Sequence, residues 1–213
     1  MSRHSVMHPG LPPEVLAGGW IGPRTPLMTP HGPVAAGELR VGETVLTQAG
    51  EAVAVRALRR CHWPARGAGA PVRLRAPFFG GSVDLRVTPG QLVSLSGVDV
   101  EYLFGEELVL VEARHLLDGR RALLEERVEP LGWVTLELEQ GAVLDAGGCG
   151  LALEGMRPVA SGRPVAAGRA GGANRAGATT APPQRRTLPR LLEAFEVRAL
   201  QAMRRGGAIR SAA

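Results

Sequence analysis

Cysteine is scarce in this chain. Two residues, Cys61 and Cys149, cannot build a disulfide framework, and they read as free thiols in a reducing compartment. Metal-binding patterns are missing too. There is no C-x-x-C or H-E-x-x-H, and His4 and His8 stand without a third ligand, so neither a metal nor a cofactor is expected. No run approaches the ~20 apolar residues that cross a bilayer, which excludes a membrane-spanning helix. The first 19 residues carry Arg3 but no continuous apolar stretch, so no secretory signal is read. Together these absences point to the cytoplasm, with secretion without a signal peptide left open.

Lysine is absent altogether: all 25 basic side chains are arginine. Arginine grips phosphate with a two-pronged fork, yet GC-rich coding gives the same composition, and the distribution of charge favours coding. Residues 20–155 hold 13 Arg against 17 Asp and Glu, a net −4, whereas residues 156–213 hold 11 Arg against 2 Glu, a net +9. The basic character therefore belongs to the tail, and nucleic-acid or other anion binding has only residues 157–213 to work with. Aromatics make up 4% of the chain. Trp20, Trp63, Trp133 and Phe78-Phe79 read as packing groups, not as a base-stacking platform.

What is present is a β pattern. Thr25-Pro26-Leu27-Met28-Thr29-Pro30-His31-Gly32 reads as a strand and a Pro/Gly turn. A polar connection through Gly37-Glu38 then leads to a second strand at Thr44-Val45-Leu46-Thr47, the two forming a half-buried hairpin. Further strands are expected at Val53–Leu58, Val72–Arg75, Val83–Val87, Leu92–Leu95 and Leu108–Val111, with Gly or Pro between them. Ala113–Leu117 suits a helical turn before Asp118-Gly119. Trp133–Leu138 and Ala142–Leu144 are expected to pair as a hairpin through Gln140-Gly141. Short strands at this spacing predict an all-β fold.

The chain divides by composition. Residues 1–19 are expected to be flexible, 20–155 to form the β domain, and 156–186, rich in Gly, Ala, Pro and Arg, to be a disordered linker. Residues 187–206 are expected to form an amphipathic helix, with Thr187 capping it and Pro189 in its first turn. Leu188, Leu191, Leu192, Phe195, Ala199, Ala202 and Met203 fall at helical spacing. Arg190, Arg198, Arg204 and Arg205 decorate that helix, which suits docking on the protein itself, on a partner, or on a membrane surface.

Four blocks over residues 20–155 resemble the Hint domain, the self-cleaving module shared by Hedgehog proteins and inteins, and in particular bacterial stand-alone Hint proteins. Thr25, Leu27, Thr29, Pro30 and Gly32, with Leu39, Gly42, Val45, Leu46 and Thr47, resemble its first block. Thr88-Pro89-Gly90-Gln91 is similar to its Thr/Ser-x-x-His block, Ala113-Arg114-His115-Leu116 to a third, and Val134 to Gly147 to its terminal hairpin. The resemblance implies a compact Hint-like β-fold. It also implies an activity, self-cleavage or splicing, in which a Cys thiol attacks the preceding carbonyl while the block-two His protonates the departing amide nitrogen.

The positions that would carry this chemistry are occupied by other residues. The nucleophile position falls on Trp20, the block-two His on Gln91 and a terminal-hairpin His on Gly141, while Thr88, which helps orient the scissile peptide in relatives, is retained. An indole cannot attack a carbonyl, and an amide cannot deliver a proton at neutral pH. The expectation is a degenerate, non-catalytic Hint domain acting as a scaffold or interaction module for a protein partner or its own flanking segments. Two alternatives stay open. One is autoproteolysis through an atypical nucleophile, Thr25 or Ser5, with His115 a weak further candidate; the other is anion binding by the tail. Cys61-His62 suggests an imidazole-activated thiol, but strand neighbours face opposite ways, and Cys149 sits in an expected Gly-rich loop.

Overall fold

The computed structural model describes residues 19–126, 130–153 and 188–210. The segment expected over 1–19 (Gly19 apart), the linker expected over 156–186, Thr187, Ser5, His4 and His8 lie outside those residues.

Twelve strands and two helices are described, and the strands set the architecture. β1 (Pro26–Thr29) and β2 (Gly32–Ala35) form a hairpin. Its turn is closed by the Thr29 hydroxyl, which donates to the Gly32 carbonyl at 2.7 Å and accepts from the His31 N–H at 3.2 Å. Gly32 sits at φ +110°, a left-handed backbone that suits glycine. β3 (Thr44–Leu46) and β4 (Ala52–Pro64) follow. Next come β5 (Val72–Leu74), β6 (Leu85–Val87), β7 (Leu92–Ser96), α1 (Val98–Phe104) and β8 (Leu108–Glu112). A 3₁₀ turn (Ala113–Leu116), β9 (Ala122–Leu124), β10 (Pro130–Leu138), β11 (Ala142–Ala146), β12 (Cys149–Leu153) and α2 (Ala194–Arg210) complete the order.

Three antiparallel sheets run β10-β4-β3, β11-β12-β7-β8 and β6-β5-β9. The 13-residue β4 links two neighbours, pairing with β3 through Ala52–Ala54 and with β10 from Val55 to Pro64. The alternation of Leu27, Val45, Val53, Val55, Leu136 and Leu138 puts one face of these strands into a common apolar core, where each is 6% exposed or less. Trp20, Trp63 and Trp133 form a separate aromatic cluster.

Four expectations are corrected. The opening turn joins β1 to β2, so β1 does not pair with Thr44–Thr47; that strand pairs with β4. Trp133–Leu138 and Ala142–Leu144 are not a hairpin. β10 pairs with β4, and β11 pairs with β12 through a Gly147-Gly148 turn at φ +63° and +95° that Asp145 fastens by accepting the Gly148 N–H at 2.6 Å. Cys149 therefore opens a buried strand and is not in a loop. The helix expected from residue 187 begins at Ala194. Before it, residues 190–192 lie along β8: the Leu110 N–H donates to the Arg190 carbonyl, and the Leu192 N–H to the Leu110 carbonyl, each at 2.8 Å. The open edge of β8 offers unpaired backbone groups, and satisfying them outweighs local helix propensity. The helical spacing still holds beyond Ala194, with Val197 and Leu200 buried beside Leu192.

α2 docks on the protein's own core. Arg204 pairs with Asp99 of α1 and donates to the Ser96 carbonyl. Gln201 donates to the His115 carbonyl at 2.8 Å. Arg190 pairs with Glu196 and lies over the Phe104 ring. No helix among the described residues is long and apolar enough to cross a membrane.

Candidate functional site

Gly19 to Gly22 thread between two sheets. Ile21 bridges to Val87 at the end of β6 and to Val134 of β10, exchanging both backbone hydrogen bonds with Val134 at 2.9 Å. The Gly22 N–H donates to the Arg86 carbonyl at 2.7 Å. This strand-like insertion holds the Gly19–Trp20 peptide in a cleft between β6 and β10.

Both ends of that peptide are gripped by threonine. The Trp20 N–H donates to the Thr88 hydroxyl at 3.0 Å, and the Thr135 hydroxyl donates to the Gly19 carbonyl at 2.9 Å. The Thr88 N–H in turn donates to the Trp20 carbonyl at 2.9 Å. Thr88 is 1% exposed, so its hydroxyl works in a dry environment. The Thr88-Pro89-Gly90-Gln91 segment is a turn, with the Gln91 N–H on the Thr88 carbonyl at 3.0 Å. The 3₁₀ turn fixes it from behind through Ala113 N–H to Gln91 O and Arg114 N–H to Pro89 O.

Gln91 is fully buried beside Gly19. Its Nε2 donates to the Leu92 and Ala152 carbonyls at 3.0 and 2.9 Å, and its Oε1 has no hydrogen-bond partner. The Trp20 indole, 3% exposed, packs edge-on against Trp63 at 5.3 Å, and Trp63 stacks on Trp133 at 5.1 Å.

Trp20, Thr88 and Gln91 thus meet at one peptide bond. Thr25 and His115 lie elsewhere. Thr25 is buried in the wall, its N–H on Gly22 O and its carbonyl accepting from Ala36. His115 lies under α2. Burial pushes its imidazole below its ordinary pKa against the pull of the Glu112 carboxylate, and its Nδ1 has no partner. Gly141 lines a groove of about 190 Å³ with Thr47, Leu108 and Leu188, separate from the residues that hold Gly19–Trp20. Thr135 is the residue that sequence reasoning missed. It sits 116 positions from Gly19, and its place within an alternating strand gave no sign of a role.

Cys61 and His62 occupy opposite faces of β4: Cys61 packs on the tryptophan cluster, and His62 lies against Gly132. Burial pushes the Cys149 thiol up to about 12, with the Asp145 carboxylate adding to the shift, so it stays protonated and unreactive at neutral pH. Among the described residues no three His, Cys, Asp or Glu side chains converge to hold a metal ion.

The family model of the Hint domain matches residues 22–159. The chain belongs to the Hint-domain family. No curated protein matches it in sequence. Solved structures similar to it include the MchDnaB-1 intein, at 16% identity and TM-score 0.41 over 62% of this chain and 98% of that one. A bacterial intein-like domain from Clostridium thermocellum is similar at 13% identity and TM-score 0.42, over 65% of this chain and 96% of the other. The gp41-1 intein stands at 13% and 0.39, over 64% and 98%. The Hint match begins just after the Gly19–Trp20 peptide and ends before α2, which is outside the matched residues.

Proposed function

We propose that this Hint domain no longer cleaves its own chain and serves as a scaffold or interaction module. The observation that carries the reading is the side chain at the junction. The peptide is held at its nitrogen by Thr88 and at its carbonyl by Thr135, but the residue that would attack is Trp20, whose indole is packed against Trp63. Acyl transfer from nitrogen requires a thiol or hydroxyl on the residue following the scissile carbonyl. The proton required by the leaving nitrogen has no source in Gln91, whose amide protons are engaged by Leu92 and Ala152.

As a module, the domain carries an appended segment, residues 188–204, that closes the edge of β8 and packs on α1 and the 3₁₀ turn. The test is the intact mass of the full chain after prolonged incubation with a small thiol. A single species at 22.4 kDa is expected. Any self-generated fragment would overturn the reading, and one beginning at Thr25 would favour that hydroxyl as an atypical nucleophile.

A further inference from the structure

We propose that the cleft is a retention site for the protein's own Gly19–Trp20 dipeptide, and that Gln91 is the residue restricting position 19 to glycine. The proposal rests on the non-cleaving reading of the same cleft. A site that does not release the preceding segment holds it, and the geometry states what it holds: a glycine followed by a large aromatic residue in extended backbone.

Gln91 sets the first position. A Cβ added to Gly19 would lie 2.3 Å from Gln91 Oε1 and 2.8 Å from Cδ, closer than real Cβ contacts come. The glutamine cannot swing away. It is fully buried, and its Nε2 is tied to two carbonyls, Leu92 at the start of β7 and Ala152 on β12. Both partners are acceptors, which fixes the amide orientation and leaves the oxygen facing Gly19. That oxygen has no hydrogen-bond partner and occupies the space a side chain at position 19 would need. The demand for glycine at position 19 is thus a steric one, set by the Gln91 amide.

The second position is set by aromatic packing. Trp20 meets Trp63 at an interplanar angle of 89°, a favourable edge-to-face geometry, while Thr88 holds its N–H and its carbonyl. The tryptophan that displaced the nucleophile is thereby the anchor of the dipeptide.

The experiment is a coupling measurement in the full chain, read by chymotryptic cleavage after Trp20 and by tryptophan emission. Gly19→Ala alone is expected to unseat the dipeptide, raising the cleavage rate at Trp20 at least about tenfold and shifting emission to the red. In a Gln91→Ala background the same substitution should change cleavage by less than about twofold, because the obstructing oxygen is gone. Gln91→Asn, which withdraws the amide by one methylene, supplies a second background should Gln91→Ala fail to fold. An equal effect of Gly19→Ala in every folded background, or no effect at all, overturns the proposal. Spontaneous cleavage between Gly19 and Trp20 without protease, seen by intact mass, would instead overturn the non-cleaving reading beneath it.

Discussion

Placing a thiol at the junction tests whether the threonine grip presents a cleavage-competent peptide. In Trp20→Cys the introduced sulfur lies next to the Gly19 carbonyl, whose oxygen already accepts from the Thr135 hydroxyl, while Thr88 holds the peptide nitrogen. Sulfur attacks the carbonyl carbon, the C–N bond breaks, and the nitrogen takes up a proton. An external thiol then carries off residues 1–19 as a thioester. The substitution also removes an indole that is 3% exposed and packed edge-on against Trp63. Its loss should cost about 3 kcal/mol, within the range for emptying a buried aromatic site. For a domain of this size that lowers Tm by roughly 6–12 °C, which leaves a folded protein to assay. Trp20→Cys alone should cleave slowly, because the Gln91 amide supplies no proton to the nitrogen. Trp20→Cys with Gln91→His should cleave faster by about 10²–10⁴, the ordinary contribution of a placed general acid. Intact mass against time, with and without dithiothreitol, reads both rates, and a melting curve certifies each variant as folded. A folded double variant that stays whole in thiol would refute the reasoning, since the threonine grip would then not define a cleavage-competent peptide.

Three further outcomes follow from burial. Leu200→Ala empties a site that is 1% exposed and should cost about 2–5 kcal/mol. The loss should appear first as faster hydrogen exchange at the Leu110 amide, which donates to Arg190. Exchange in the β11–β12 hairpin should stay unchanged; uniform loss of protection would show that residues 188–204 do not detach separately. Cys149, 1% exposed, should resist a thiol reagent that modifies the less buried Cys61, and should react only on denaturation. Its pKa rises from 9.0 to about 12 on folding, so the unfolded thiol ionises first and stability falls as pH climbs from 9 toward 12. The loss should be on the order of 1 kcal/mol by pH 10 and should vanish in Cys149→Ala when stability is measured against pH.

Much of the fold was legible because it is written locally. Alternation and Gly/Pro punctuation locate β4, β5, β7, β8 and β10 near their observed places, and Thr88-Pro89-Gly90-Gln91 closes its own turn by a bond between its first and last residues. α1 went unread because the stretch from Val98 to Phe104 carries β-branched valines. β12 went unread because glycines flank Cys149, although there they serve a two-residue turn and a close approach of Ser94 and Gln48 to Gly150. The site was half legible. Trp20, Thr88 and Gln91 follow from motif spacing, whereas Thr135 does not.

The sequence by itself determined the turns, the strand alternation and the identity of the groups at the junction. From these came the conclusion that no thiol follows Gly19 and no imidazole stands at position 91. Tertiary structure alone decided who meets whom. It paired β10 with β4 and not with β11, and it brought Thr135 to a carbonyl 116 residues away. It also gathered Trp20, Trp63 and Trp133 from three strand-like segments and set residues 190–192 against an open sheet edge. The reason is physical. Backbone conformation is fixed by neighbours in sequence, but buried hydrogen-bonding groups and apolar faces are satisfied by whatever partner the whole chain can bring to them.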